Sequence, residues 1–188
     1  DYFDQNSEIT LTVDFFSEWN MVGLPLIVEN SQPVSLFPDA LEGTLYSFSD
    51  GYIQEDELSV GNGYWLRFSQ SGMIQITGEP VNEFAISLNT DWNLISGISY
   101  LVSITSISDP QNLIVPGTIY GFEETYVNVD ELIPGKGYWL RSTGEGEIML
   151  SISGQTTTRM IAEQKPVGAN TIVFGNQTLY FGMEVQEE

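Results

Sequence analysis

Two stretches of this chain match each other at a fixed offset. Gly43-Thr44-Leu45-Tyr46-Ser47-Phe48 returns as Gly117-Thr118-Ile119-Tyr120-Gly121-Phe122, and Gly61-Asn62-Gly63-Tyr64-Trp65-Leu66-Arg67 returns as Gly135-Lys136-Gly137-Tyr138-Trp139-Leu140-Arg141, both 74 residues on. Over 43–67 against 117–141 no gap is needed and 14 of 25 positions are identical. Whatever the first stretch folds into, the second must fold into again. Trp19-Asn20-Met21-Val22 likewise matches Trp92-Asn93-Leu94-Ile95, at an offset of 73. One extra residue near Ser96 restores 74 and sets Gly23 against Gly97, as a β-bulge within the strand would. Downstream, Met73–Gly78 resembles Met149–Gly154 at an offset of 76, which places two added residues in the turn at Gly144-Glu145-Gly146. The chain thus divides into repeat one (1–80), repeat two (81–154) and a C-terminal piece (155–188). Glu79-Pro80-Val81 is the only joint between the repeats, and a joint this short predicts that they pack on each other.

Within each repeat, short β-rich runs are separated by Gly, Pro, Asn and Asp. Glu8–Val13 and Glu83–Leu88 alternate apolar with polar residues, the period of a half-buried strand. The Trp-Asn segments follow, then loops with room for one helical turn at Val34–Leu41 and Leu101–Ile107. Three further strands close the unit, at Thr44–Phe48, Tyr64–Phe68 and Met73–Thr77 in repeat one. In the tail, Thr158–Ala162 reads as a strand, and Thr171–Phe174 with Thr178–Phe181 reads as a hairpin about Gly175-Asn176-Gln177. No run has the apolar stripe of a three-turn helix. The expected fold class is all-β: two tandem sandwich- or barrel-like β repeats related by pseudo-symmetry, plus C-terminal strands.

Composition removes whole classes of chemistry. The chain has no Cys and no His, hence no disulfide framework, thiolate nucleophile, imidazole proton shuttle or Ser-His-Asp triad. Its 26 acidic against 5 basic residues give a net charge of −21, the wrong sign for nucleic acid or an anionic membrane surface. No apolar run is long enough for a membrane span. The adjacent acids Glu55-Asp56-Glu57 and Glu123-Glu124 form no opposed pair of the kind glycoside hydrolysis requires. The expectation is therefore no enzyme and no cofactor, with calcium the one ion left open, since hard cations take carboxylate and carbonyl oxygens. Asp50 and Asp91, in oxygen-rich turns, are the candidate ligands. Lys136 lies between glycines without the spacing of a phosphate loop, and its counterpart is Asn62. A Lys–Asn isopeptide bond through Lys165 or Lys136 would show as an intact-mass deficit of one ammonia.

The repeated Gly-x-Gly-Tyr-Trp-Leu-Arg supplies the candidate site residues. In a strand, Tyr64 and Leu66 face one way, Trp65 and Arg67 the other. The arginines, Arg67 and Arg141, are expected to join their tryptophans to a nearby carboxylate, Asp56 or Glu57 in repeat one and Asp130 or Glu131 in repeat two. The tryptophans Trp19, Trp65, Trp92 and Trp139 admit three readings: buried core, an exposed sugar-stacking platform, or mutual packing of the repeats. Trp65, Trp139, Tyr64 and Tyr138 are the candidate ligand-binding residues. Trp19, Trp92, Arg67, Arg141, Asp56 and Asp130 are the structural ones.

Trp-Asn-(Met/Leu)-(Val/Ile), followed by Gly-x-Gly-Tyr-Trp-Leu, resembles repeat modules in large secreted surface proteins of Bacteroidetes- and Chlorobi-like bacteria. Those modules often lie upstream of a type IX secretion sorting domain, and Asn176–Gly182 is similar to the segment near such C-termini. The resemblance implies export and surface attachment, and carries no catalytic residue. A start at Asp1 without an initiator Met fits a mature or excised segment. The expectation is a non-catalytic extracellular β module, structural or adhesive. Its partners would be other domains of the same protein or further copies joined by strand pairing. A carbohydrate-binding module using exposed Trp and Tyr is the rival.

Overall fold

The structure, a computed structural model, describes residues 8–152 and two strands beyond them. Among the described residues strand makes up 52% and helix 6%. The all-β class follows, and the chain separates into a unit ending at Gln155 and a second unit from Thr156 onward.

Repeat one contains β1 (Ile9–Phe15), β2 (Glu18–Gly23), β3 (Leu26–Ile27), a single helical turn α1 (Pro33–Leu36), β4 (Tyr46–Phe48), β5 (Tyr52–Gln54), β6 (Gly63–Phe68) and β7 (Gly72–Pro80). Repeat two contains β8 (Glu83–Leu88), β9 (Asp91–Ser96), β10 (Val102–Ser103), a 3-10 turn (Ile104–Ser106), β11 (Tyr120–Phe122), β12 (Tyr126–Asn128), β13 (Glu131–Leu132), β14 (Gly137–Ser142) and β15 (Gly146–Ser151). Both expected helical turns are present and short. Each repeat pairs its first strand with its last, β1 with β7 and β8 with β15, and builds a four-stranded antiparallel sheet from four others, while β3 adds to β7 and β10 pairs with β13. The orders β2-β6-β4-β5 and β9-β14-β11-β12 are the same topology twice. In the second unit, β16 (Asn170–Phe174) pairs antiparallel with β17 (Gln177–Phe181), as expected of a hairpin there. The strand expected at Thr158–Ala162 lies outside the described residues.

The inner faces fill two separate cores. Val13, Phe15, Tyr64, Leu66, Phe68, Ile74 and Ile76 close the first, and Ile86, Leu88, Tyr138, Leu140, Ile148 and Leu150 close the second. The period-two pattern survives in β1, β7, β8 and β15, which have one wet face. It fails in β6 and β14, where nearly every residue is buried. Their second face is covered too, by a third cluster of Met21, Trp65, Leu94 and Trp139 lying between the repeats. A strand buried on both faces loses its alternation for that reason.

Two details of the sequence alignment are corrected by the pairing. The register from Asp91 to Ser96 against β14 is unbroken, so Ser96, not Gly97, is the counterpart of Gly23, and the extra residue lies beyond the strand rather than in a bulge. Gly72 and Gly146 both open the last strand, so β7 and β15 correspond at an offset of 74, with no inserted pair. The offset of 76 was plausible because a slip of two residues keeps every side chain on its own face.

Candidate functional site

The Trp-Asn pair is a turn device followed by a ring. Glu18 and Asp91, which open β2 and β9, have φ of 68° and 75°, in the left-handed region that acidic and amide residues tolerate better than most. The buried Asn20 holds the first turn: its Oδ1 accepts from Phe16 N at 2.9 Å, and its Nδ2 donates to Phe16 O and Glu18 O. Asn93 does the same with Asn89 N, Asn89 O and Asp91 O. The turn delivers Trp19 and Trp92 to the sheet face opposite the repeat core. There each meets the next indole edge-on, Trp19 with Trp65 at 6.4 Å and 85°, Trp92 with Trp139 at 6.3 Å and 84°.

Gly-x-Gly is the seam between repeats. Gly23 N donates to Gly135 O at 3.1 Å, and its counterpart Ser96 N donates to Gly61 O at 2.9 Å, a reciprocal exchange about a pseudo-twofold axis. A Cβ on Gly63 would fall 2.4 Å from Ile95 O, and one on Gly137 would fall 2.8 Å from Val22 O. Only glycine lets the backbones of the two repeats approach this closely. Ser99 adds a second tie, its hydroxyl accepting from Val81 N and donating to Pro25 O.

The seam turns the outer sheet faces toward each other. Trp65 of repeat one meets Phe122 of repeat two at 4.9 Å, and Trp139 of repeat two meets Phe48 of repeat one at 4.8 Å, both edge-on. Two open clefts result. One, of about 540 Å³, is lined by Trp19, Thr44, Tyr46, Tyr52, Trp65 and Phe122. The other, of about 450 Å³, is lined by Phe48, Tyr52, Trp92, Tyr120, Tyr126 and Trp139. Tyr52 lines both, so the two clefts adjoin at that ring, and together they make up the aromatic groove. Trp19 and Trp92 stand at its two ends, 38% and 39% exposed, with Tyr52 and Tyr126 open at 60% and 52%.

The sequence candidates scatter around this groove. Trp65 and Trp139 form its floor and are each 8% exposed; the partly open rings are the ones assigned a structural role, Trp19 and Trp92. Tyr64 and Tyr138 are not on the groove. They point into the repeat cores, and their hydroxyls accept from Ser59 N at 2.9 Å and Ile133 N at 2.7 Å. Burial pushes the Tyr138 hydroxyl up to about 12, with Glu123 adding to the rise and the Ile133 N–H opposing it. Burial, helped by Tyr126, also raises Tyr52, against the pull of the Trp65 indole N–H.

The arginine partners differ from expectation. Arg67 donates from Nε at 2.8 Å and from Nη2 to Glu18 Oε2, and Arg141 Nε donates to Asp91 Oδ1 at 2.6 Å. Antiparallel pairing sets Trp19 across from Arg67 and Trp92 across from Arg141, which brings the acid just before each tryptophan alongside. Asp56 and Asp130 precede β6 and β14, at the far end of the strand from the guanidinium. Asp91 is therefore engaged by arginine, while Asp50 sits in the β4–β5 turn at a φ of 56°. Among the described residues no three His, Cys, Asp or Glu converge as a metal cluster would.

Six groove residues were not among the sequence candidates for the site: Tyr46, Phe48 and Tyr52, with their counterparts Tyr120, Phe122 and Tyr126. The signal was present, because all three positions are identical between repeats. Tyr52 is exposed in a three-residue edge strand, where its ring leans edge-on against Phe48 at 5.5 Å as Tyr126 does against Phe122 at 5.4 Å.

No family model matches the sequence, and no curated protein and no solved structure is similar to it at a significant level.

Proposed function

We propose that this chain is a non-catalytic binding module of a secreted bacterial surface protein, structural or adhesive in role, which grips its partner in the aromatic groove. One observation carries the reading: rings standing in corresponding positions of both repeats stay partly open to solvent where the two sheets meet. Contiguous exposed apolar surface is rare on a self-contained domain and marks places of contact. The resemblance to exported repeat modules supports the surface location, and the missing His and Cys support a role without chemistry. Self-association by strand pairing belongs to the same proposal, with the short edge strands β5 and β12 as its means.

Carbohydrate binding is the second reading, favoured by the open faces of Trp19 and Trp92. The test is a titration of the full chain with extended extracellular polymers, polysaccharides and polypeptides alike, followed by tryptophan fluorescence. A saturable response is expected from at least one class. It should vanish in a Trp19→Ala/Trp92→Ala variant whose circular dichroism is unchanged. A response that survives the double substitution removes the groove from the reading.

A further inference from the structure

We propose that the groove receives a proline-rich segment of another polypeptide, in polyproline II conformation and flanked by lysine or arginine. This rests on the binding-module reading and names the occupant.

The first argument is hydrogen bonding. Neither cleft is lined by a carboxylate or an amide side chain. Their polar groups are tyrosine hydroxyls, indole N–H groups and the Thr44 hydroxyl, which already donates to Leu41 O and accepts from Arg67 N. A sugar ring enters with several hydroxyls, each a donor and an acceptor, and hydroxyls left unpaired in such a lining cost binding. Proline has no N–H, so a polyproline segment asks only for donors to its carbonyls. A donor lies beneath the first cleft. Trp65 Nε1 is buried beside the exposed Tyr52 and has no hydrogen-bond partner within bonding geometry. A ligand carbonyl reaches it once Tyr52 turns aside.

The second argument is shape. Indoles and phenols set edge-to-face form walls between which flat, rigid pyrrolidine rings stack, the mode by which aromatic-lined grooves hold polyproline helices at small entropic cost. A polyproline helix turns every three residues without internal hydrogen bonds. Its rings and carbonyls recur along either direction, so a groove with pseudo-twofold symmetry accepts it in both.

The third is charge. The hairpin turns beside the groove carry Asp50 on one repeat and Glu123 and Glu124 on the other, and the arginines of β6 and β14, Arg67 and Arg141, are each held by a carboxylate. On a chain of net charge −21, cations flanking the ligand are attracted to these turns and to the open faces of Tyr52 and Tyr126.

The test is calorimetric titration of the full chain with a lysine-flanked decaproline peptide. The comparison ligands are the same peptide with its prolines replaced by alanine, the same peptide with glutamate flanks, and neutral polysaccharides. Saturable binding of the lysine-flanked proline peptide alone is expected. It should weaken about tenfold in Trp19→Ala and in Trp92→Ala, as for a buried aromatic anchor, and severalfold in Trp65→Phe, which keeps a ring but removes the N–H. Met73→Ala, a substitution on the exposed face of β7, should leave it unchanged. Equal binding of the alanine peptide, or indifference to Trp65→Phe, overturns the proposal. Binding of a polysaccharide instead, with the same tryptophan dependence, overturns the proposed occupant and leaves the binding module standing. Silence toward every ligand overturns both.

Discussion

Where the two repeats touch, one pair of equivalent positions cannot be alike. Elsewhere the residues that tie the turns are kept: Asn20 and Asn93 hold the same turn, Thr44 and Thr118 the same loop, Tyr64 and Tyr138 the same backbone amide. At the axis, Gly23 faces Ser96, and the counterparts Asn62 and Lys136 diverge. Equivalent positions that meet across a twofold axis occupy one space between them, so only one can carry a side chain. A Cβ on Gly23 would lie 2.1 Å from the Ser96 Cβ. Duplication within one chain permits this asymmetry. A homodimer of one repeat would have to place the same residue on both sides.

That comparison breaks hardest at Gly23. Gly23→Ser drives two methylenes into each other between rigid strands, and is expected to cost about 3 kcal/mol, the upper range for overpacking. Ser96→Gly in the same chain should return most of it, because the pseudo-axis makes the exchanged arrangement nearly equivalent. The exchange also bears on Ser96 Oγ, which is buried without a hydrogen-bond partner, so Ser96→Gly alone should cost little. Urea unfolding of the four proteins measures the cycle. A double variant no more stable than Gly23→Ser would show that the axis is not symmetric in energy.

The next test lies within repeat two. The Tyr138 hydroxyl, ordinarily near 10, is raised to about 12 in the folded chain by burial. The neutral form is thus favoured by folding. The stabilisation is complete below the unfolded value and disappears as pH climbs from 10 through 12. Two units correspond to at most about 2.7 kcal/mol. Thermal unfolding followed across this range should show a loss that Tyr138→Phe flattens, at the separate cost of the bond from Ile133 N. An alkaline limb unchanged in Tyr138→Phe would assign it to other groups.

Much of the fold was readable because strand period and turn chemistry are local. Glu8–Val13 and Glu83–Leu88 show their alternation without help, and the internal repeat gave the topology of one half from the other. The groove was less readable because it depends on faces that meet only after both sheets exist. From Trp65 and Arg67 on one face, a partner close in sequence looked natural, and Glu57 and Asp56 were the nearest acids. The actual partner, Glu18, is 49 residues away and is set by strand register. The open aromatics were misassigned for a related reason. A tryptophan inside a strand and one beside a turn look alike in sequence, yet Trp65 is covered by the sister repeat while Trp19 is at the end of the groove.

The smallest test concerns the middle residue of Gly-x-Gly. Lys136 Nζ donates to Asp14 O and pairs with Asp14 Oδ2 at 3.1 Å, reaching from repeat two to the first strand of repeat one. Asn62 holds the corresponding place on the other side. The Asp14 side chain is 63% exposed, so water screens the pair and Lys136→Asn should cost about 0.5 kcal/mol, as exposed ion pairs do. Salt should shrink that difference further. Beside it, Gly135 lies against Val13 and Gly61 against Phe84, where an added Cβ would meet carbon at 2.4 Å and 2.5 Å. The glycines therefore hold the seam by contact, and Lys136 between them adds a screened ion pair and one hydrogen bond. A loss in Lys136→Asn as large as that of Gly23→Ser would reverse this order and make the ion pair the principal clamp between the repeats.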